Sequence, residues 1–318
     1  MTKEQASSLI KQKAKQLGFV ACGIVKAEPV EESAVAEQEE WLAKGYAAGM
    51  EYMHKNKSLR YDPRLLHPGT RSLIVVAMNY YPKIRQKTDV SFAYYSYGKD
   101  YHYVMKSYLS KLLDYIKDVV SPDNNVDGRA FADSAPIMER YWAKKAGVGF
   151  QGRNRLIIIP RVGSFCFIGV LAINLDLAYD KPLCISCGKC HRCEEACPSR
   201  AICGGFVDSN KCISYQTIEN KTAHIPDEIS SVMGTRVYGC DVCQQVCPWN
   251  RFSKPTQIEE FFPSEDFLNL TLLSIESMNS GDFKRMFKNS AVERAGLKGL
   301  RRNIESVKKT TNRSKNMD

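Results

Sequence analysis

The chain has 318 residues, 44% of them hydrophobic, and 45 Lys and Arg against 35 Asp and Glu give a net charge of +10. That length suits one large domain or two to three small ones, and the hydrophobic share supports a real core, which excludes a disordered chain. The longest apolar run, Phe165 to Leu175, is shorter than the ~20 residues a membrane-spanning helix needs, and the polar start Met1-Thr2-Lys3-Glu4-Gln5 has neither a leader-like pattern nor twin arginines. A cytoplasmic protein with no membrane association is expected.

In chain order, Leu9, Ile10, Ala14 and Leu17 fall at helical spacing. Arg71 to Met78 reads as a buried strand after a His67-Pro68-Gly69 loop. Val104, Tyr108, Leu112, Tyr115, Ile116 and Val119 predict a helix over Tyr103 to Val119, ended by Pro122-Asp123-Asn124-Asn125. Val126 to Ala132 reads as a short strand and Pro136 to Ala146 as a helix stopped by Gly147. Leu156 to Pro160 and Phe165 to Leu175 read as two strands paired across an Arg161-Val162-Gly163-Ser164 turn. From Tyr179 to Pro255 the composition shifts to cysteine, glycine and charge. Beyond Phe261 the sequence is helix-forming and ends in a basic tail, Leu297 to Asp318. The expected class is α+β: a mixed α/β domain over 1–178, a ferredoxin-like domain over 179–255 and a helical region over 256–318.

Ten of the 12 cysteines lie between Cys184 and Cys247. In a chain with no export signal, that clustering favours reduced, metal-bound thiolates over disulfides. Cys187, Cys190, Cys193 and Cys197-Pro198 form the C-x-x-C-x-x-C-x-x-x-C-P run of bacterial ferredoxins. A second copy, Cys240, Cys243 and Cys247-Pro248, lacks one cysteine, which Cys212 can supply. Because the cysteine before proline serves the other cluster, one 4Fe–4S cluster takes Cys187, Cys190, Cys193 and Cys247. The other takes Cys197, Cys212, Cys240 and Cys243. Cys22, Cys166, Cys184 and Cys203 are spare. Structural zinc would use C-x-x-C pairs and leave both Cys-Pro positions without a reason. Two such clusters form a one-electron relay that needs a terminal acceptor and an external donor.

No G-x-G-x-x-G follows a strand and there is no P-loop, so a nicotinamide site is unsupported. Two loop-like segments stand out instead: Phe131-Ala132-Asp133-Ser134-Ala135-Pro136 and Gly149-Phe150-Gln151-Gly152-Arg153-Asn154. On residues alone, Asp133 reads as a helix N-cap.

Across nearly its whole length the chain resembles the bacterial epoxyqueuosine reductases, corrinoid iron–sulfur enzymes that complete queuosine in tRNA. The stretches that carry the resemblance are Arg60-Tyr61-Asp62-Pro63 with His67-Pro68-Gly69; Tyr97-Gly98-Lys99-Asp100-Tyr101-His102; Asp133-Ser134-Ala135-Pro136; Gly149 to Asn154; Cys212-Ile213-Ser214-Tyr215; and Tyr238-Gly239-Cys240-Asp241-Val242-Cys243 through Cys247-Pro248-Trp249-Asn250. Gln151 and Arg153 depart from the family pattern, where an aliphatic residue and a lysine are common. The resemblance implies a cobalamin cofactor beside the two 4Fe–4S clusters, a tRNA substrate, and two-electron removal of the epoxide oxygen as water. It makes Asp133 the proton donor, with Arg60, Tyr97 and Ser214 lining the corrin.

An epoxide opening to an alkoxide-like oxygen needs a nearby acid, and burial against an apolar corrin would raise the pKa of Asp133 and keep it neutral. His102 reads as a structural histidine rather than a cobalt ligand, and stays outside the expected catalytic set. In the tail, Lys298, Arg301 and Arg302 are the expected tRNA-backbone contacts. A monomer is expected. Two other readings use similar parts: a corrinoid reductive dehalogenase and a ferredoxin-type electron carrier.

Overall fold

The computed structural model describes residues 1–122 and 125–315. The first helix, Lys3–Gln16, opens with a capping box between Thr2 and Gln5 and buries Ile10 and Ala14. The strands of the first half are β1 (Ala21–Lys26), β2 (Ser72–Asn79), β3 (Ser91–Phe92), β4 (Gly128–Phe131), β5 (Phe150–Gln151), β6 (Ile157–Ile158) and β7 (Cys166–Ile173). Four of them form an antiparallel sheet in the order β1-β2-β7-β4.

Both faces of this sheet are covered. Ile24, Ile74, Val76, Met78 and Leu171 point into one core with Met105 and Leu109 of the helix Tyr101–Tyr115. Val25, Leu73, Val75, Ala77 and Val170 point into a second core with Trp142 and Ala143 of the helix Glu139–Lys145. Glycines set both approaches. A Cβ on Gly169 would lie 2.7 Å from Met105 Cε, and one on Gly23 would lie 2.0 Å from the Ala146 carbonyl oxygen. The two helices are thus seated tightly on opposite faces, and the loop after β4 runs between their first turns.

The sheet corrects one expectation. Leu156 to Pro160 and Phe165 to Leu175 do not pair as a hairpin. β6 pairs with β5, the turn closes on the Ile159–Gly163 bridge, and β7 runs between β2 and β4. From Val170 on, β7 is buried on both faces, and a strand apolar on both sides belongs in a sheet interior. The expected helix from Pro136 begins instead at Glu139, because Ser134 to Ile137 folds into a tight loop. There Ser134 N–H donates to Ala132 O at 2.6 Å and Ile137 N–H to Ala135 O at 2.8 Å. The helix Tyr101–Tyr115 runs on as a π-helical turn, Ile116–Val120. Of its expected stop, Asp123 and Asn124 lie outside the described residues.

The segment beyond 255 packs into the first core. Phe267 stands 5.1 Å from both Phe92 and Tyr97, and Phe261 stands 5.0 Å from Phe167, ring centre to ring centre. Each buried phenylalanine stabilises this junction by about 2 kcal/mol. The strand Arg236–Tyr238, between the two cysteine runs, pairs in parallel with β3. Among the described residues no helix is long and apolar enough to cross a membrane.

Candidate active site and cluster pockets

Asp133 lies just past β4, in the left-handed region at φ +58°, which aspartate tolerates better than most residues. It does not cap the helix that follows, whose N-cap position is Met138 without a side-chain bond. Its carboxylate turns to the other helix instead. The Tyr101 hydroxyl donates to Asp133 Oδ2, and His102 Nε2 lies 3.4 Å from the same oxygen. His102 Nδ1 is 2.6 Å from Oδ1 of Asp100, the residue that caps this helix. On its other side, Asp133 N–H donates to Glu139 Oε1 at 2.5 Å.

These contacts reverse the expected ionisation. Burial alone would raise Asp133, but the bonds from His102 and Tyr101 win and hold its carboxyl down, to about 2. The side chain is about half exposed, so hydrogen bonding outweighs desolvation. Burial would lower His102, but Asp100 and Asp133 together push it up to about 9, so it is an imidazolium at neutral pH. Glu139 goes the other way: burial first, then the charge of Asp133, push it up. The protons beside Asp133 therefore rest on His102, which faces its carboxylate, and on Glu139, which faces its backbone.

Asp133 opens into a cavity of about 600 Å³, walled also by Tyr101, His102, Ser214, Cys212 and Arg294. Two further expected residues sit elsewhere. Tyr97 is buried against Tyr94 and Phe267, its hydroxyl accepting from Gln86 N–H at 3.2 Å, and does not reach the cavity. The apolar surroundings of its ring draw it into the core. Arg60 lies behind the wall, donating through Nη2 to the carbonyl of the wall residue Tyr52 at 3.0 Å. Its Nε is buried without a partner among the described residues.

Cys187, Cys190, Cys193 and Cys247 line one pocket of about 160 Å³, together with Arg153 and Trp249. This is one of the two sets expected from the spacing. Arg153 Nε is buried there without a partner among the described residues, which fits a group carrying negative charge. Cys197, Cys212, Cys240 and Cys243 are linked electrostatically. Burial is the main cause raising the Cys212, Cys240 and Cys243 thiols. Cys197 raises Cys212, Cys212 raises Cys240, and both Cys240 and Cys212 raise Cys243. The donor set fits iron, which would displace these protons. Of the spare cysteines, Cys184 and Cys203 are exposed, whereas burial holds Cys22 and Cys166 up at about 12, as inert thiols.

The basic tail is a helix, Gly296–Lys315, with Leu300, Ile304 and Val307 buried. Arg302 is buried with them and is not free for phosphate. Its guanidinium donates to the carbonyls of Gln216 at 2.8 Å, Asn220 at 2.5 Å and Thr222 at 3.1 Å, ending the helix Ile213–Ile218. Lys298 and Arg301 remain exposed, and Arg301 Nη2 also donates to the Met278 carbonyl at 2.8 Å.

Sequence reasoning set His102 aside as a structural histidine, gave Tyr101 no role in acid chemistry, and missed Glu139 and Arg294. Asp100-Tyr101-His102 lies inside a stretch that carries the family resemblance, and a capping Asp two residues before a histidine was the available signal. Arg294 had none.

Residues 186–250 match the 4Fe-4S double cluster binding domain and residues 60–134 match the family described as epoxyqueuosine reductase QueG, DUF1730. An epoxyqueuosine reductase from Cellulophaga algicola is 44% identical over 310 residues, covering 96% of this chain and 99% of its own. An epoxyqueuosine reductase solved with an epoxyqueuosine-modified tRNA-Tyr stem loop superposes with a TM-score of 0.89 at 27% identity, over 97% of this chain and 82% of its own. One from Bacillus subtilis, solved with its aspartate catalytic loop swung out of the active site, gives 0.88 at 27% identity over the same shares, 97% and 82%. Fold and site define an iron–sulfur oxidoreductase of mixed α/β architecture. The chain belongs to the epoxyqueuosine reductase family, and its activity is the reduction of epoxyqueuosine.

Proposed function

We propose that the cavity between Asp133 and Cys212 is where cobalamin and the epoxide meet, and that Asp133 delivers the proton. The observation that carries this is the shared wall: a carboxylate with an attached proton source and a cluster-ligating cysteine face one 600 Å³ space. The domain assignment follows: a cobalamin-binding catalytic part over 1–178, the two 4Fe–4S clusters over 179–255, and a helical region over 256–318. Ser214 lines the cavity, and Arg60 backs it with an unpaired buried N–H. Tyr97 is not part of the proposal. When bound, cobalamin supplies the reducing power at the epoxide carbon.

The residues supply the rest. His102 holds the proton at Nε2, 3.4 Å from Asp133 Oδ2. As negative charge grows on the epoxide oxygen, the proton passes through Asp133 to it. Tyr101 fixes the orientation of the carboxylate, and Asp100 keeps His102 charged. Cys212, one residue before the helix Ile213–Ile218, brings the second ligand set to the cavity wall, where electrons are consumed. Removing the oxygen as water takes two electrons and two protons, the electrons coming from an external one-electron donor.

The substrate is tRNA, by analogy with the relative solved on a modified stem loop, with Lys298 and Arg301 as backbone contacts. We place the enzyme in the cytoplasm as a monomer.

Asp133→Asn tests the reading, because asparagine tolerates the same backbone region. Iron content and the cobalamin-dependent spectrum should match the parent, while turnover of the epoxyqueuosine stem loop falls by roughly 10²- to 10⁴-fold. Undiminished turnover would remove Asp133 from the reaction.

A further inference from the structure

We propose that Glu139 is the positioning residue that holds Asp133 in its working conformation, through the hydrogen bond its Oε1 accepts from Asp133 N–H. This rests on Asp133 being the proton donor.

The loop cannot hold this shape by itself. Asp133 occupies a left-handed backbone conformation, at φ +58°, that costs energy for any residue with a side chain. Its neighbours are held by local turns alone, Ser134 N–H to Ala132 O and Ile137 N–H to Ala135 O. A further strap, Lys106 Nζ to Ser134 Oγ at 2.8 Å, joins two surface side chains and is weak. Glu139 differs because it begins a fixed element. It is the first residue of the helix Glu139–Lys145, which buries Trp142 completely and ends with the Ala146 carbonyl pressed on Gly23.

The bond joins this helix to the loop at 2.5 Å. The two carboxyl groups feel each other's charge and would repel if both were ionised. They do not, because burial and the charge of Asp133 push the Glu139 carboxyl up, so that it tends to stay protonated while Asp133 is ionised. A neutral carboxyl still offers a carbonyl oxygen to the Asp133 N–H. The backbone of Asp133 is thus tied to one helix through Glu139, and its carboxylate to the other through Tyr101 and His102.

Glutamine is the isostere of the neutral acid and separates this role from acid chemistry. In the fully loaded enzyme, Glu139→Ala should lower kcat on the modified stem loop by roughly 10- to 100-fold and leave KM within about twofold. Glu139→Gln should keep kcat within about threefold of the parent. Hydrogen exchange of the peptide spanning 128–138 should quicken in Glu139→Ala and not in Glu139→Gln. An unchanged kcat in Glu139→Ala, or a Glu139→Gln that falls as far as the alanine variant, would overturn the assignment. Asp133→Asn is run alongside. If that variant keeps turnover, the donor reading fails, and the exchange data still decide whether Glu139 holds the loop.

Discussion

Arg302 donates through Nη2 to the carbonyl oxygen of Gln216 at 2.8 Å, from inside the protein. A guanidinium that looks from the sequence like part of a basic tail instead ends the short helix that follows Cys212. Its Nη1 reaches Asn220 and Thr222, and the neighbouring Asn303 donates to the carbonyls of Thr217 and Val237, each at 2.8 Å. Arg302→Met should therefore lower stability by about 3 kcal/mol, because several buried carbonyls lose a charged donor. Thermal unfolding reads this directly. Lys298→Ala with Arg301→Ala should cost about 1 kcal/mol, the bond from Arg301 to the Met278 carbonyl, and should reduce the salt dependence of tRNA binding. The assignment fails if Arg302→Met melts like the parent and flattens the salt slope instead.

The His102 pair sets a pH window. His102 is raised from 6.5 to about 9, so the stability it contributes is complete below pH 6.5 and is lost as pH rises through 9. Asp133 is lowered from 3.8 to about 2, so its contribution is complete above pH 3.8 and is lost as pH falls toward 2. Melting temperature should therefore decline between pH 6.5 and 9, and His102→Asn should flatten that limb. An identical alkaline limb in the variant would mean that the charge on His102 does not support the fold.

Loss of Cys212 should be selective. Cys212→Ser leaves Cys187, Cys190, Cys193 and Cys247 in their shared pocket, so the purified protein should keep about half its iron. Replacing the exposed Cys184 and Cys203 together should leave iron and acid-labile sulfide unchanged. Iron loss in that double variant would redraw the ligand sets.

Tyr97→Phe should be nearly silent. The hydroxyl accepts one bond from Gln86, and the ring is core packing. A stability loss below about 1.5 kcal/mol and parental cobalamin affinity are expected from melting and spectral titration. A large affinity loss would return Tyr97 to the cofactor site.

How much was legible follows from how local each signal is. The cysteine spacing is a property of a few consecutive residues, and four of the cysteines it groups, Cys187, Cys190, Cys193 and Cys247, line one pocket. The run at β2 is apolar enough to declare a buried strand. The partner of β7 was not readable, because an apolar stretch records burial and not the strand beside it. Asp133 stood out, but its ionisation depends on His102, some thirty residues earlier, and on a helix end packed from the opposite face of the sheet. Arg302 misled for the same reason: charge along a tail does not reveal which positions of a helix face inward.

Cys212 and Ser214 occupy one turn of chain, the first among the proposed cluster ligands and both on the cavity wall. With Arg236–Tyr238 hydrogen-bonded to β3 and Tyr238 itself on the cavity wall, the cysteine-rich stretch is woven into the proposed reaction chamber. It is not a detachable cartridge. Grafting it onto another catalyst, or exchanging it for a foreign ferredoxin, would remove part of the chamber itself. On the proposed reading, variation in how the enzyme is supplied with electrons would be confined to the outer surface and would not extend to the cavity end of the relay.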